Sequence, residues 1–117
     1  MRVAVVGSRF FTYYDYVKSI LDGINDRNEI SVIISGGARG ADSLGERYAR
    51  ENGIEFVLFA ADWDKHGKAA GPIRNKQLIE EGKPDLVVAF NPGKGTRNTI
   101  IHAEQNNIDV DTHYITD

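Results

Sequence analysis

Short apolar runs alternate with longer stretches of helical period along the chain. Residues 3–6 are an unbroken β-branched and apolar run, the mark of a strand covered on both faces. Val17, Ile20, Leu21 and Ile24 then recur at i, i+3, i+4 and i+7, which predicts an amphipathic helix closed by polar Asn25-Asp26-Arg27-Asn28. Thr12, with Asp15 three residues on, has the spacing of a capping box at its start. Residues 30–34 are a second predicted strand. A glycine-rich turn leads from it into a helix that buries Ala41, Leu44, Tyr48 and Ala49, with Gly53 placed to end it. Residues 54–59 are a third strand. Residues 60–71 carry no period and read as irregular, holding Trp63, His66 and Lys68. Pro72 suits the first turn of a helix that runs to Gly82, and Pro84 prevents its continuing. Residues 86–90 are a fourth strand, and residues 96–107 a fourth helix with Ile100 and Ala103 facing in. Residues 109–115 alternate, with Val110, Thr112 and Tyr114 on one face, as a half-exposed edge strand does.

The sum is βαβαβαβαβ, which predicts an α/β protein: a mainly parallel five-stranded sheet with helices on both faces. In the strand order 3-2-1-4-5 the chain reverses direction between strands 1 and 4. The loops at Gly7 and Gly93 then flank the crevice where such sheets take their ligands, with the Gly36 loop beside them. A chain of 117 residues is read as a single domain, residues 1–117.

Those loops carry the candidate chemistry. Ser35-Gly36-Gly37-Ala38-Arg39-Gly40-Ala41-Asp42 runs from a strand through a glycine turn into a helix, a geometry that aims free backbone N–H groups at an anion. Gly7-Ser8-Arg9 and Asn91-Pro92-Gly93-Lys94-Gly95-Thr96 also follow apolar strands. The net charge of −3 argues against a dedicated nucleic-acid surface. Yet Arg9, Arg39, Lys68, Arg74, Lys76, Lys94 and Arg97 all lie in or beside glycine-rich segments, which fits a small anionic ligand. The absence of cysteine excludes disulfides, thiolate zinc sites and cysteine nucleophiles. The apolar runs are far short of the roughly 20 residues that span a bilayer, and the first strand begins at once, so the expected location is cytoplasmic.

Other signatures are missing. No G-x-G-x-x-G follows the first strand, where Phe10 and Phe11 are too bulky, and Gly93-Lys94-Gly95-Thr96 lacks the spacing of a Walker A loop. No nucleophile elbow is present, and His66, His102 and His113 lack zinc-ligand spacing. Asp62, Asp64 and His66 read as a solvated loop, and no metal or cofactor is expected.

Taken together and in this order, the loops, with Asp62-Trp63 and Gly67-Lys68-Ala69-Ala70-Gly71-Pro72-Ile73-Arg74-Asn75, resemble the YspA-like branch of the SLOG superfamily. That superfamily is named for the DNA-processing protein DprA (Smf) and the lonely-guy phosphoribohydrolases. The resemblance covers nearly the whole chain and implies a Rossmann-like fold and a nucleotide or nucleotide-derived ligand. Lonely-guy enzymes cleave the N-glycosidic bond of a nucleoside monophosphate with P-G-G-x-G-T-x-x-E and an Arg-Lys helix start. Gly93, Gly95 and Thr96 match the phosphate-binding part, and Arg74, before Asn75-Lys76, resembles the functional arginine. The motif's glutamate falls on Thr99, and a hydroxyl cannot replace a carboxylate that activates water or stabilises an oxocarbenium-like centre.

The leading expectation is therefore a sensor or sequestering protein for a nucleotide, acting as a homodimer. Two alternatives stay open. A phosphoribohydrolase-like enzyme would need another carboxylate, Asp42 or Glu104, to point into the site beside Arg74. A DprA-like single-stranded DNA module is suggested by the G-[ST]-R and S-G-x-A-x-G-[IA]-D loops, although no basic stripe with interleaved aromatics is evident. The candidate ligand residues are Gly7, Ser8, Arg9, Ser35, Gly36, Gly37, Arg39, Gly40, Asp42, Trp63, Lys68, Arg74, Asn75, Gly93, Lys94, Gly95 and Thr96. Asp42 is either a helix cap or an acceptor for ribose hydroxyls, and Trp63 either packing or a wall for a base. Lys68 and Arg74 sit near a helix N-terminus, where cations gain nothing from the dipole unless an anion meets them.

Overall fold

A computed structural model describes residues 1–116. The elements run β1 (Arg2–Gly7), α1 (Tyr14–Arg27), β2 (Val32–Ser35), α2 (Ala41–Glu51), β3 (Glu55–Leu58), α3 (Trp63–His66), a single 3-10 turn (Gly67–Ala69), α4 (Ala70–Glu80), β4 (Leu86–Phe90), α5 (Lys94–Gln105) and β5 (Asp109–His113). The strands form one parallel sheet in the expected order β3-β2-β1-β4-β5. Along β1 the pleat sends Val3 and Val5 to one face and Ala4 and Val6 to the other. The first face packs on Val17, Leu21 and Ile24 of α1 and Tyr48 and Ala49 of α2. The second packs on Leu78 and Ile79 of α4 and Ala103 of α5. Burial on both faces explains why the central strands read as unbroken apolar runs. Among the described residues no helix is long and apolar enough to cross a membrane.

The left-handed stop at Gly53 is present, with φ of 63° and the Ile54 amide donating to the Ala49 carbonyl at 2.9 Å. Other local expectations need correction. Thr12 does not cap α1: the cap position is Tyr13, which makes no side-chain capping bond, and Thr12 offers only its carbonyl to the Tyr14 amide. Phe11 and Tyr14 are both buried, and Phe11 packs on Phe90 at 5.3 Å between ring centroids, so apolar anchoring sets where this helix begins. The segment at residues 60–71 is not irregular but mostly helical. The Asp62 carboxylate accepts from the Lys65 amide at 3.1 Å and starts α3, which is too short for its period to show in the sequence. Helix α5 begins at Lys94, two residues earlier than the period suggests. Strand β5 ends at His113, two residues short of the expected bound; Thr112 on it and Tyr114 just beyond it are exposed, while His113, on the opposite face, stacks on Phe90 at 5.6 Å and meets the Tyr16 hydroxyl at 3.1 Å.

Helix α2 approaches β1 through Gly45 rather than through Leu44, which is only half-buried. A Cβ at Gly45 would stand 2.7 Å from the Val5 Cβ, inside any tolerable contact. Gly45→Ala should therefore destabilise the fold by about 1–3 kcal/mol despite alanine's better helix propensity. A lowered denaturant midpoint with an unchanged m-value is the expected result.

A cleft at the switch point of the sheet

Three loops meet where β1, β2 and β4 end. Gly7 closes β1 with φ of 153°, and a Cβ there would lie 2.8 Å from the Ala41 Cβ and 2.9 Å from the Phe90 nitrogen. Only a residue without a side chain lets the first loop settle between β4 and α2. The Ser8 amide donates to the Phe90 carbonyl at 3.0 Å, and the Ser8 carbonyl accepts from the Ala41 amide at 3.1 Å. Beyond that anchor Arg9 and Phe10 stand exposed, the guanidinium 5.0 Å above the ring.

The second loop is shaped from within. One oxygen of Asp42, Oδ2, accepts from the Gly36 amide at 3.2 Å and the Ala38 amide at 3.4 Å. Ser35 Oγ donates to the Asp42 carbonyl and accepts from the Gly37 amide. Asp42 is only 5% exposed, yet no fully buried side-chain oxygen lacks a partner among the described residues. Its second oxygen, Oδ1, which takes no internal bond, therefore reaches the solvent of the one cavity that Asp42 lines.

Arg74, on α4, ties this loop to the third. Its Nη1 donates to the Gly36 carbonyl at 2.7 Å and its Nε to Asn75 Oδ1 at 2.8 Å. Asn75 Nδ2 in turn donates to the Gly95 carbonyl at 3.2 Å and to Asn98 Oδ1 at 3.1 Å. The guanidinium lies so close to Gly36 that a Cβ there would stand 2.7 Å from Arg74 Cζ. Nη2 of Arg74 has no partner among the described residues. Helix α5 has Gly93 as its cap, with no side-chain bond, and the amides of residues 94–96 find no acceptor among the described residues. Nothing stands within 4 Å of where a Cβ at Gly93 or Gly95 would be.

Between these loops lies a cleft of about 810 Å³. It brings together Gly7, Ser8, Arg9, Gly36, Asp42, Trp63, Arg74, Asn75, Gly93, Lys94, Gly95 and Thr96 from the sequence-predicted set. Arg9, Arg74 and Lys94 face one carboxylate, Asp42, so the cleft favours anions. The remaining candidates lie elsewhere. Ser35 is fully buried and engaged in the loop, and Gly37 abuts Leu58. Gly40 sits under the Ser8–Arg9 backbone, while Arg39 and Lys68 are exposed outside the cleft. Glu104, exposed near the far end of α5, does not line it either. Phe10 and Asn98 do line it and were not singled out in the sequence. Asn98 falls one helical turn beyond Lys94, a spacing that could have flagged it. Thr99, where the resemblance expects glutamate, is buried in the cleft wall. A second hollow beside α1 holds Arg47, but that guanidinium is already engaged by Glu51 at 3.0 Å and by the Tyr14 ring at 3.8 Å.

A crevice at the reversal point of a parallel sheet, floored by glycine turns and a helix N-terminus, defines the doubly wound α/β class. The chain belongs to the YspA, cpYpsA-related SLOG family, whose pattern matches residues 1–66. It is 35% identical over 120 residues to the Gene 61 protein of Mycobacterium phage D29, covering 93% of both chains. Its fold is similar to that of DNA processing protein A (DprA) from Streptococcus pneumoniae, with a TM-score of 0.75 and 24% identity. That likeness covers 95% of this chain and 49% of the other, so the chain spans about half the length of that protein.

Burial pushes the Asp42 carboxyl up from an ordinary 3.8 to about 6, against the opposing pull of the Ala38 amide, the Arg74 guanidinium and the Gly36 amide. Between those values the folded protein holds a proton that the unfolded chain has released. Stabilisation from this group is thus complete below about pH 4 and is lost as pH rises through about 6. Asp42→Asn keeps an oxygen for the two amides and cannot ionise. It should match the wild type near pH 4 and exceed it in stability by about 2–3 kcal/mol near pH 8, as read from denaturant midpoints.

Proposed function

We propose that the cleft binds a nucleotide or nucleotide-derived ligand by its phosphate, and that the protein works as a sensor or sequestering protein for it. The observation that carries this reading is the pairing of unpartnered first-turn amides at residues 94–96 with the free Nη2 of Arg74 across one cleft. Amides at a helix N-terminus and a guanidinium already oriented by Gly36 and Asn75 complement a phosphate by both hydrogen bonding and charge. The ribose would then lie toward Asp42 Oδ1, which is free to accept a hydroxyl proton.

Asp42 also supports a second reading. It is the carboxylate of the cleft, so it is the group that would serve a phosphoribohydrolase-like reaction in place of the glutamate missing at Thr99. Release of free base from a nucleoside monophosphate, abolished in Asp42→Asn, would favour turnover over sequestration.

A thermal-shift screen against mono-, di- and cyclic nucleotides and ADP-ribose tests the primary reading. A ligand at 100 times its Kd adds about 2.7 kcal/mol, a shift of several degrees. Gly95→Leu projects into open space, so it should fold normally and lose the shift. Arg74→Gln should weaken binding of a phosphorylated ligand by about tenfold to a hundredfold and leave its nucleoside unaffected. Equal affinity of the Gly95→Leu variant would overturn the phosphate placement. Silence from every nucleotide, with salt-sensitive binding of oligonucleotides, would move the function to single-stranded nucleic acid.

A further inference from the structure

The large apolar side chains exposed among the described residues are Phe10, Tyr13, Leu58, Trp63, Ile101 and Tyr114. Of these, Phe10 and Trp63 line the cleft, 74% and 59% exposed. Both are mostly exposed, and each has a local contact beside it. Phe10 follows the Ser8 anchor, its amide donating to Ser8 Oγ at 3.1 Å, and it carries the Arg9 guanidinium over its ring. Trp63 opens the short helix capped by Asp62. Its ring lies beside Gly71, where a Cβ would stand 3.4 Å from Cη2, an ordinary contact distance.

Flat aromatic surface left uncovered at the walls of a cleft, beside three cations, matches a ligand that has both a π face and a negative charge. From this we infer that Phe10 and Trp63 are the stacking walls for a nucleobase, and that the ligand is a nucleoside phosphate rather than a bare sugar phosphate. The inference rests on the phosphate reading above and assigns the opposite end of the same ligand. It gives Phe10, on the first loop, a direct part in selectivity.

Trp63 is the chain's one tryptophan, so its emission reports on the surroundings of this one wall of the cleft. The probes are the four common ribonucleoside monophosphates and ribose 5-phosphate, each followed by fluorescence and by thermal shift. At least one nucleotide should quench Trp63 saturably, while ribose 5-phosphate stabilises the fold without quenching. Phe10→Ala and Trp63→Ala should each weaken nucleotide binding roughly fivefold to a hundredfold and leave ribose 5-phosphate binding unchanged. Retained binding of ribose 5-phosphate also shows that the variants are folded. Equal affinity for nucleotides and ribose 5-phosphate, with no quenching and no effect of either variant, would overturn the stacking walls and leave the phosphate site standing. No stabilisation by any probe would overturn the phosphate reading, and the stacking inference with it.

Discussion

The last residue of β1 has no room for a side chain, and the arrangement of the neighbouring loops follows from that. At Gly7 the backbone runs against Phe90 of β4 on one side and Ala41 of α2 on the other. The Ser8 amide and carbonyl can then bond to β4 and α2 at once. A methyl group in that position would force the central strand away from its neighbours and open the crevice at its floor. The close approach also brings the first turn of α2 next to the first loop, which places Asp42 at the floor of the cleft. A packing constraint in the middle of the sheet is thus the origin of the site's geometry.

From that floor the site is held together by one chain of polar contacts. Asp42 folds the second loop around its Oδ2, Arg74 grips the carbonyl of that loop, and Asn75 passes the linkage on to Gly95 and Asn98. Arg74 is oriented before any ligand arrives, so little of its freedom remains to be lost on binding. Asp42 and Arg74 also oppose each other chemically. Burial disfavours the charged carboxylate, while the guanidinium favours it. A phosphate entering beside Arg74 would compete for that same guanidinium, which couples the charge of the ligand to the proton on Asp42.

The sheet was legible because strands covered on both faces cannot hide: residues 3–6 and 86–90 have no polar member, and 30–34 has one, Ser31, ahead of its buried run. The loops were legible because glycines followed those strands. What escaped the sequence was short or tertiary in origin. Helix α3 is a single turn, started by Asp62, and leaves no periodic trace. The start of α1 was set by Phe11 packing on Phe90, not by the hydroxyl of Thr12. His113 turned inward because the Phe90 ring was there to receive it, a partner 23 positions away that alternation on β5 could not reveal. Phe10 read as an obstacle to a dinucleotide fingerprint, whereas the fold sets it on the cleft wall. Arg39 and Lys68 sit beside the right glycines but on the outer side of their turns, and proximity in sequence does not fix direction.

The strand order has a consequence for the time at which these parts meet. Arg2 of β1 pairs with Val32 of β2, but Val3 pairs with Leu86 of β4. A chain made from its N-terminus exposes one flank of its central strand until most of its length exists. The first two loops therefore form well before the third, and the Asn75 bridge has nothing to grip until residues 95 and 98 follow. Closing so long a loop is slow relative to local pairing. The cleft therefore closes only after segments far apart in the chain have come together, later than the two loops that follow β1 and β2.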